Sequence, residues 1–300
     1  MDGACHGLGR YLSAFRQAGR LTASPFSRIM TVAMKARGFT LVELLVVVFA
    51  TTLLFGVLLP ALRASREQAR TAACSAKIRQ LVFGLHGYEA DNGTFPIGFE
   101  PVGFPPKPPP YAGTPFLDVI GSWWFESVAE VDYDSEKGVE AVTCPSKRQT
   151  DRVLNADVLC GNYGANLAIC RAQWYLKPYN EDFGGAPLSS SHIRRPGGTL
   201  LVVDSGYSLI CWWHATEDVP VDLPAGSLAQ HTAYIPGLEL NKDKCLLPGQ
   251  RDDAISGRHM NRIVNVGFVD GHLEGKTAET IRVDRNEDGF RNHRPLWQPD

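Results

Sequence analysis

From Phe39 to Leu59 the chain reads FTLVELLVVVFATTLLFGVLL, with Glu43 as its only charge. At about 1.5 Å per residue such a helix is about 31 Å long, the thickness of a bilayer's hydrocarbon core. A helix in a soluble core rarely stays apolar on every face, so the pattern predicts a membrane helix over 39–59. Beyond Pro60 the pattern changes. Arg63–Arg70 is polar nearly all round, and then Ile78, Leu81, Leu85 and Tyr88 recur at helical spacing, a stripe suited to lie on a sheet. Asp91-Asn92-Gly93 supplies turn chemistry with a left-handed residue to end this helix. Together the two stretches predict one bent helix of about fifty residues, about 75 Å long, loosened at Pro60.

The rest of the chain is rich in turn formers. Residues 101–111, PVGFPPKPPPY, favour an extended polyproline II loop. Thr199–Val203 is a short β-branched apolar run between Pro196-Gly197-Gly198 and Asp204-Ser205-Gly206, which predicts a buried strand. Ile263–Val269 alternates imperfectly and stops at Asp270-Gly271, a hairpin signal. The predicted fold class is α+β, a long N-terminal transmembrane and stem helix packed on an antiparallel sheet with loop-rich insertions. The predicted divisions are a leader (1–38), a membrane helix (39–59), an amphipathic stem (60–92) and a globular body outside the cytoplasm (93–300).

Composition sharpens this. A chain of 300 residues, 44% hydrophobic and 21% charged, excludes disorder, and 29 glycines with 20 prolines at no fixed period suit a loop-rich body. Residues 1–38 hold six basic groups (Arg10, Arg16, Arg20, Arg28, Lys35, Arg37) against Asp2, a net of +5, which leaves −7 for the rest of a chain whose net charge is −2. An acidic body argues against a nucleic-acid partner. The upstream excess exceeds Arg63, Arg66 and Arg70 downstream and sets the N-terminus in the cytoplasm. A cleaved secretory signal fits less well, because the apolar run is long and no small-x-small site follows it before Pro60.

Lys35-Ala36-Arg37-Gly38-Phe39-Thr40-Leu41-Val42-Glu43 resembles the processing site of type IV prepilins and type II secretion pseudopilins. The resemblance implies that a prepilin peptidase cuts after Gly38 and methylates the new amino terminus at Phe39. It implies that Glu43, fifth in the mature chain, pairs with a neighbouring subunit's terminal amine. A lone carboxylate in hydrocarbon is costly enough to mark such a function. The leader is longer than this family's; Met34 would open a short one, MKARG. The implied location is the inner membrane, single-pass, with the body in the periplasm or at the cell surface. The implied partners are the peptidase, other pilin or pseudopilin subunits and membrane lipid.

A second resemblance, to the pseudopilin-like proteins of planctomycetes with a C-terminal H-X9-DG signature, rests on Ala69–Pro96, Thr143-Cys144-Pro145-Ser146, Gly161–Asn166 and Arg258–His272. Ten residues separate His259 from Asp270-Gly271 here, one more than the signature has. The same residues allow a metal or hydrolytic cluster of His259, Asp270 and His272, but no nucleophile or further ligand is evident, and Asp-Gly is first of all a turn. His86 reads as a surface or interface histidine. Gly271–Thr277 is one residue short of a phosphate loop.

Asp284-Arg285-Asn286-Glu287-Asp288-Gly289-Phe290 fits the first half of a calcium loop, with side chains of Asp284, Asn286 and Asp288 and the Phe290 carbonyl as ligands. Pro295 stands at the twelfth position, so an EF-hand is excluded. An Asp/Asn turn without metal accounts for the pattern equally well, and no cofactor is required. Trp123-Trp124-Phe125 and Trp212-Trp213 form either a glycan-stacking platform or core. Beyond the leader stand Cys74, Cys144, Cys160, Cys170, Cys211 and Cys245, enough for three disulfides in an oxidising compartment. None has zinc-ribbon spacing. The expected role is assembly of a secretion or pilus-like filament, not enzymatic catalysis. The contrasting role is a surface-tethered glycan-binding or hydrolytic protein exported by the prepilin route.

Overall fold

The computed structural model describes residues 39–101, 121–129, 142–150, 161–171, 183–217, 233–244, 246, 248–286, 289–291 and 293–299. The expected leader with Gly38, most of the proline-rich stretch, Cys160, Cys245 and Asp288 lie outside them. Two units are distinguished, Met1–Leu54 and Phe55–Asp300.

Helix α1 runs Leu41–Asn92 as one 52-residue element with Pro60 inside it. It ends as the turn chemistry predicts: Gly93 takes φ +80 and its N–H donates to the Glu89 carbonyl. The residues of 39–62 are all exposed, Phe39 and Leu41 at 78%, and α1 is the one described helix long and apolar enough to cross a membrane. In its second half Cys74, Ile78, Leu81, Val82 and Leu85 are buried along one face, while Tyr88 is half-buried.

The body is built on a five-stranded sheet in the order β5-β3-β4-β6-β7. Its strands are β3 (Tyr163–Asn166), β4 (Leu200–Asp204), β5 (Leu209–Ile210), β6 (Ile263–Phe268) and β7 (Leu273–Thr277). Pairings β3–β4, β4–β6 and β6–β7 are antiparallel, and β3–β5 is parallel. Strand β4 is central and buried at all five positions. The α1 stripe covers β6, where a Cβ added at Gly267 would stand 2.5 Å from Val82 Cγ2 and 3.0 Å from Ile78 Cγ2. Two further hairpins are β1 (Phe99–Pro101) with β2 (Gly121–Trp123), and β8 (Asp284–Asn286) with β9 (Gly289–Arg291). Short helices α2 (Trp124–Ala129) and α3 (Arg251–Ser256) complete the described elements used below.

The α+β class therefore stands, with one parallel pairing at the β5 edge. The Asp270-Gly271 turn joins β6 to β7 with Gly271 at φ +92, and the phosphate-loop look-alike is strand β7. All five aromatics of the two clusters are core: Trp123, Trp124, Phe125, Trp212 and Trp213 are each at most 5% exposed. Trp123 packs on Phe99 and Tyr207, and Trp213 on Phe183. Buried rings offer no stacking platform to a sugar.

Candidate functional site

Two places in the chain concentrate chemistry. The first is the entry to α1. Thr40 precedes the helix, and its hydroxyl accepts from the Glu43 backbone N–H at 3.2 Å. In return Glu43 Oε2 accepts from Thr40 N and from the Thr40 hydroxyl, both at 2.9 Å. This is a capping box, Thr-x-x-Glu, which satisfies helix-start donors reciprocally. The Thr40-Leu41-Val42-Glu43 spacing carries this pattern in the sequence itself. Phe39 stands just before the box and is exposed.

The second place lies inside the body. Cys74 of α1, Cys144, Asp204 at the end of β4 and His259 just before β6 converge, all buried, with their ligand-type atoms within 4.8 Å of one another. The two sulfurs are 3.6 Å apart, Cys74 Sγ donates to Asp204 Oδ1 at 3.2 Å, and His259 Nε2 is 3.3 Å from Asp204 Oδ2. Nearby groups fix each member. Asn265 donates to Asp204 Oδ2 from its backbone (2.7 Å) and side chain (3.1 Å), and the Tyr163 hydroxyl donates to Cys74 Sγ. Asn162 Oδ1 accepts from Cys144 N. Arg258 is fully buried against Asp253, with further donors to the carbonyls of Asn162 and Ser205.

The electrostatics follow from this packing. The hydrogen bond shared with Cys74 lowers the Cys144 thiol to about 6, with His259 and Arg258 helping against burial. Burial pushes the Cys74 thiol well above its ordinary value. Burial alone would lower the His259 imidazole, but Asp204 and Cys144 reverse that and hold it at about 10. The Asp204 carboxyl is held down despite burial, chiefly by His259. Asp204 and Cys144 thus favour the protonated His259 ring, and that ring in turn favours ionisation of Cys144. Cys144 is only 1% exposed, so a substrate larger than an ion does not reach its sulfur in this arrangement.

The grouping of His259 with Asp270 and His272 does not occur. Strand β6 separates them, and six strand residues cover about 20 Å. Asp270 instead pairs with His272 at the exposed β6–β7 turn, while His259 turns inward to Asp204. His86 is half-buried, ion-paired with Glu89 and edge-on to Phe95. In the calcium-type loop, Asp284 pairs with Arg282 at 2.8 Å and the Phe290 carbonyl accepts from His293 Nδ1 at 2.9 Å. Asn286 lies in β8, paired with Gly289, and Asp288 is outside the described residues. Cys74, Cys144, Cys170 and Cys211 are buried with free thiols, and the other two cysteines that could pair, Cys160 and Cys245, lie outside the described residues.

Known proteins add two matches. Residues 63–186 match the model of a family described as protein of unknown function (DUF1559). Over 63 residues the chain is 33% identical to competence protein ComGC of Halalkalibacterium halodurans, a match covering 21% of this chain and 62% of that protein. The chain therefore matches less than two thirds of this relative's length. No solved structure matches. Each of the two matches spans less than half of this chain.

Proposed function

We propose that this protein is a membrane-anchored structural subunit of a type IV pilus-like or type II secretion filament. A prepilin peptidase removes 1–38 and methylates Phe39, the Phe39–Leu59 helix packs with its neighbours in the membrane and filament core, and the body is displayed outside the inner membrane. Glu43 sets register by pairing with the terminal amine of an adjacent subunit. The observation that carries this reading is the string Lys35–Glu43 running directly into α1, whose first half exposes apolar residues on every face while the body closes its own core. A helix so exposed needs lipid or copies of itself. The similarity to ComGC supports the same role.

The capping box gives Glu43 a purely local alternative, and one substitution separates the two. Glu43→Gln keeps an N3 side chain able to cap but removes the charge. In the native host, cross-linked multimers of Glu43→Gln are expected to fall by about tenfold or more, as for loss of a charge-assisted bond of about 1.5 kcal/mol, while the amount of mature chain is unchanged. Multimers at the unsubstituted level would leave Glu43 with capping alone.

A further inference from the structure

We propose that Cys74, Cys144, Asp204 and His259 form a structural binding site for one thiophilic divalent cation of the zinc class. The ligand set, two sulfurs, an imidazole nitrogen and a carboxylate, is the borderline-soft mixture that zinc takes in closed four-coordinate sites. The spacing agrees. Bonds of about 2.3 Å to sulfur and about 2.0 Å to nitrogen or oxygen put tetrahedral ligands about 3.8 Å apart for a sulfur pair and about 3.3 Å for nitrogen and oxygen. The cluster shows 3.6 Å between its sulfurs and 3.3 Å between His259 Nε2 and Asp204 Oδ2.

An independent observation points the same way. His259 Nε2 is buried and aimed into the cluster, where Asp204 Oδ2 stands at 3.3 Å without the geometry of a hydrogen bond. The other ring nitrogen explains why. The Thr71 hydroxyl spends its single proton on the Glu67 carbonyl at 2.9 Å, so at 3.1 Å from His259 Nδ1 it accepts. Nδ1 therefore carries hydrogen, and in the neutral ring the Nε2 lone pair faces the cluster, as outer partners arrange it in metal sites. Asn265 orients the Asp204 carboxylate in the same manner. On binding, the Cys74 thiol proton and the one proton shared by Cys144 and the His259 ring leave to solvent, and the cation takes their place between two thiolates, the neutral ring and the carboxylate. The ion ties α1 to β4, to the Cys144 segment and to the turn before β6, pieces 55 to 70 residues apart in sequence. It also shields two thiols of a displayed body from oxidation.

The test uses the full-length chain extracted in detergent. Zinc content as isolated is expected at about one per chain, and cobalt(II) added to the metal-stripped, reduced protein is expected to give sulfur-to-cobalt charge transfer with tetrahedral d–d bands. Thr71→Ala, which touches no ligand covalently, is expected to weaken zinc affinity by about 10–100-fold. Cys170→Ser, a buried thiol elsewhere, is expected to leave affinity unchanged. Isolation of a metal-free chain with a Cys74–Cys144 disulfide would overturn the proposal, as would a reduced, folded chain that takes up no cobalt. The unsubstituted protein alone decides between these results, so a ligand variant that fails to fold does not matter.

Discussion

His214 shows how firmly single side chains are committed in this body. Its Nδ1 accepts from the Cys211 backbone N–H at 3.0 Å, closing the turn Trp212–Ala215. Burial, and then the charge of Lys244, hold the imidazole down at about 3. Lys244, which donates to the His214 carbonyl, and Cys211 are the titratable groups facing it. The unfolded chain takes up a proton near 6.5 that the folded ring refuses, so this contribution is complete above that pH. It is lost as pH falls toward 3, by at most about 1.4 kcal/mol per unit. Thermal midpoints of the detergent-held protein should therefore drop more between pH 7 and 5 than those of His214→Gln. Equal drops would show that the ring is protonated while folded. None of this was legible in the sequence, where His214 is one polar residue after two tryptophans and only burial gives it meaning.

Among the elements, α1 and β6 meet closely at Gly267. Gly267 lets Val82 and Ile78 approach the sheet, and a methyl group there meets both side chains inside van der Waals distance. Gly267→Ala is expected to destabilise the body by about 1–3 kcal/mol, a loss of about 2–10 °C in melting temperature. Adding Val82→Ala, which clears the nearest atom, should recover part of it, and an unchanged midpoint for Gly267→Ala alone would mean that the helix does not press there. The elements themselves were largely legible. The stripe Ile78–Leu81–Leu85, the stop at Gly93, strand β4 and the β6–β7 turn all carry local signals. Strand β5 was not, because two residues, Leu209–Ile210, carry no period. The cluster was not either, since its four members come from separate segments and no spacing rule joins them. The signature that pairs His259 with Asp270 marks the two ends of a strand, and a strand holds its ends apart.

For the whole molecule, two different economies share one chain. Among the described residues the body closes a core of its own, with a buried Arg258–Asp253 pair, packed aromatics and a sheet against which the α1 stripe lies. Residues 39–62 bury none of their apolar side chains and are exposed throughout. On the proposed filament role, the charge of +5 over residues 1–38 against −7 for the remainder is what would keep the N-terminus of such a segment in the cytoplasm. The proposed cut after Gly38 would then convert an anchored precursor into an assembling subunit, because it would place a free amine four residues from Glu43. The most direct measurement is the intact mass and N-terminal sequence of the protein recovered from native membranes. A chain that begins with N-methylated Phe39 is the predicted result. An uncut chain, or one that begins beyond Leu59, would contradict the account and remove the assembly role of Glu43 with it.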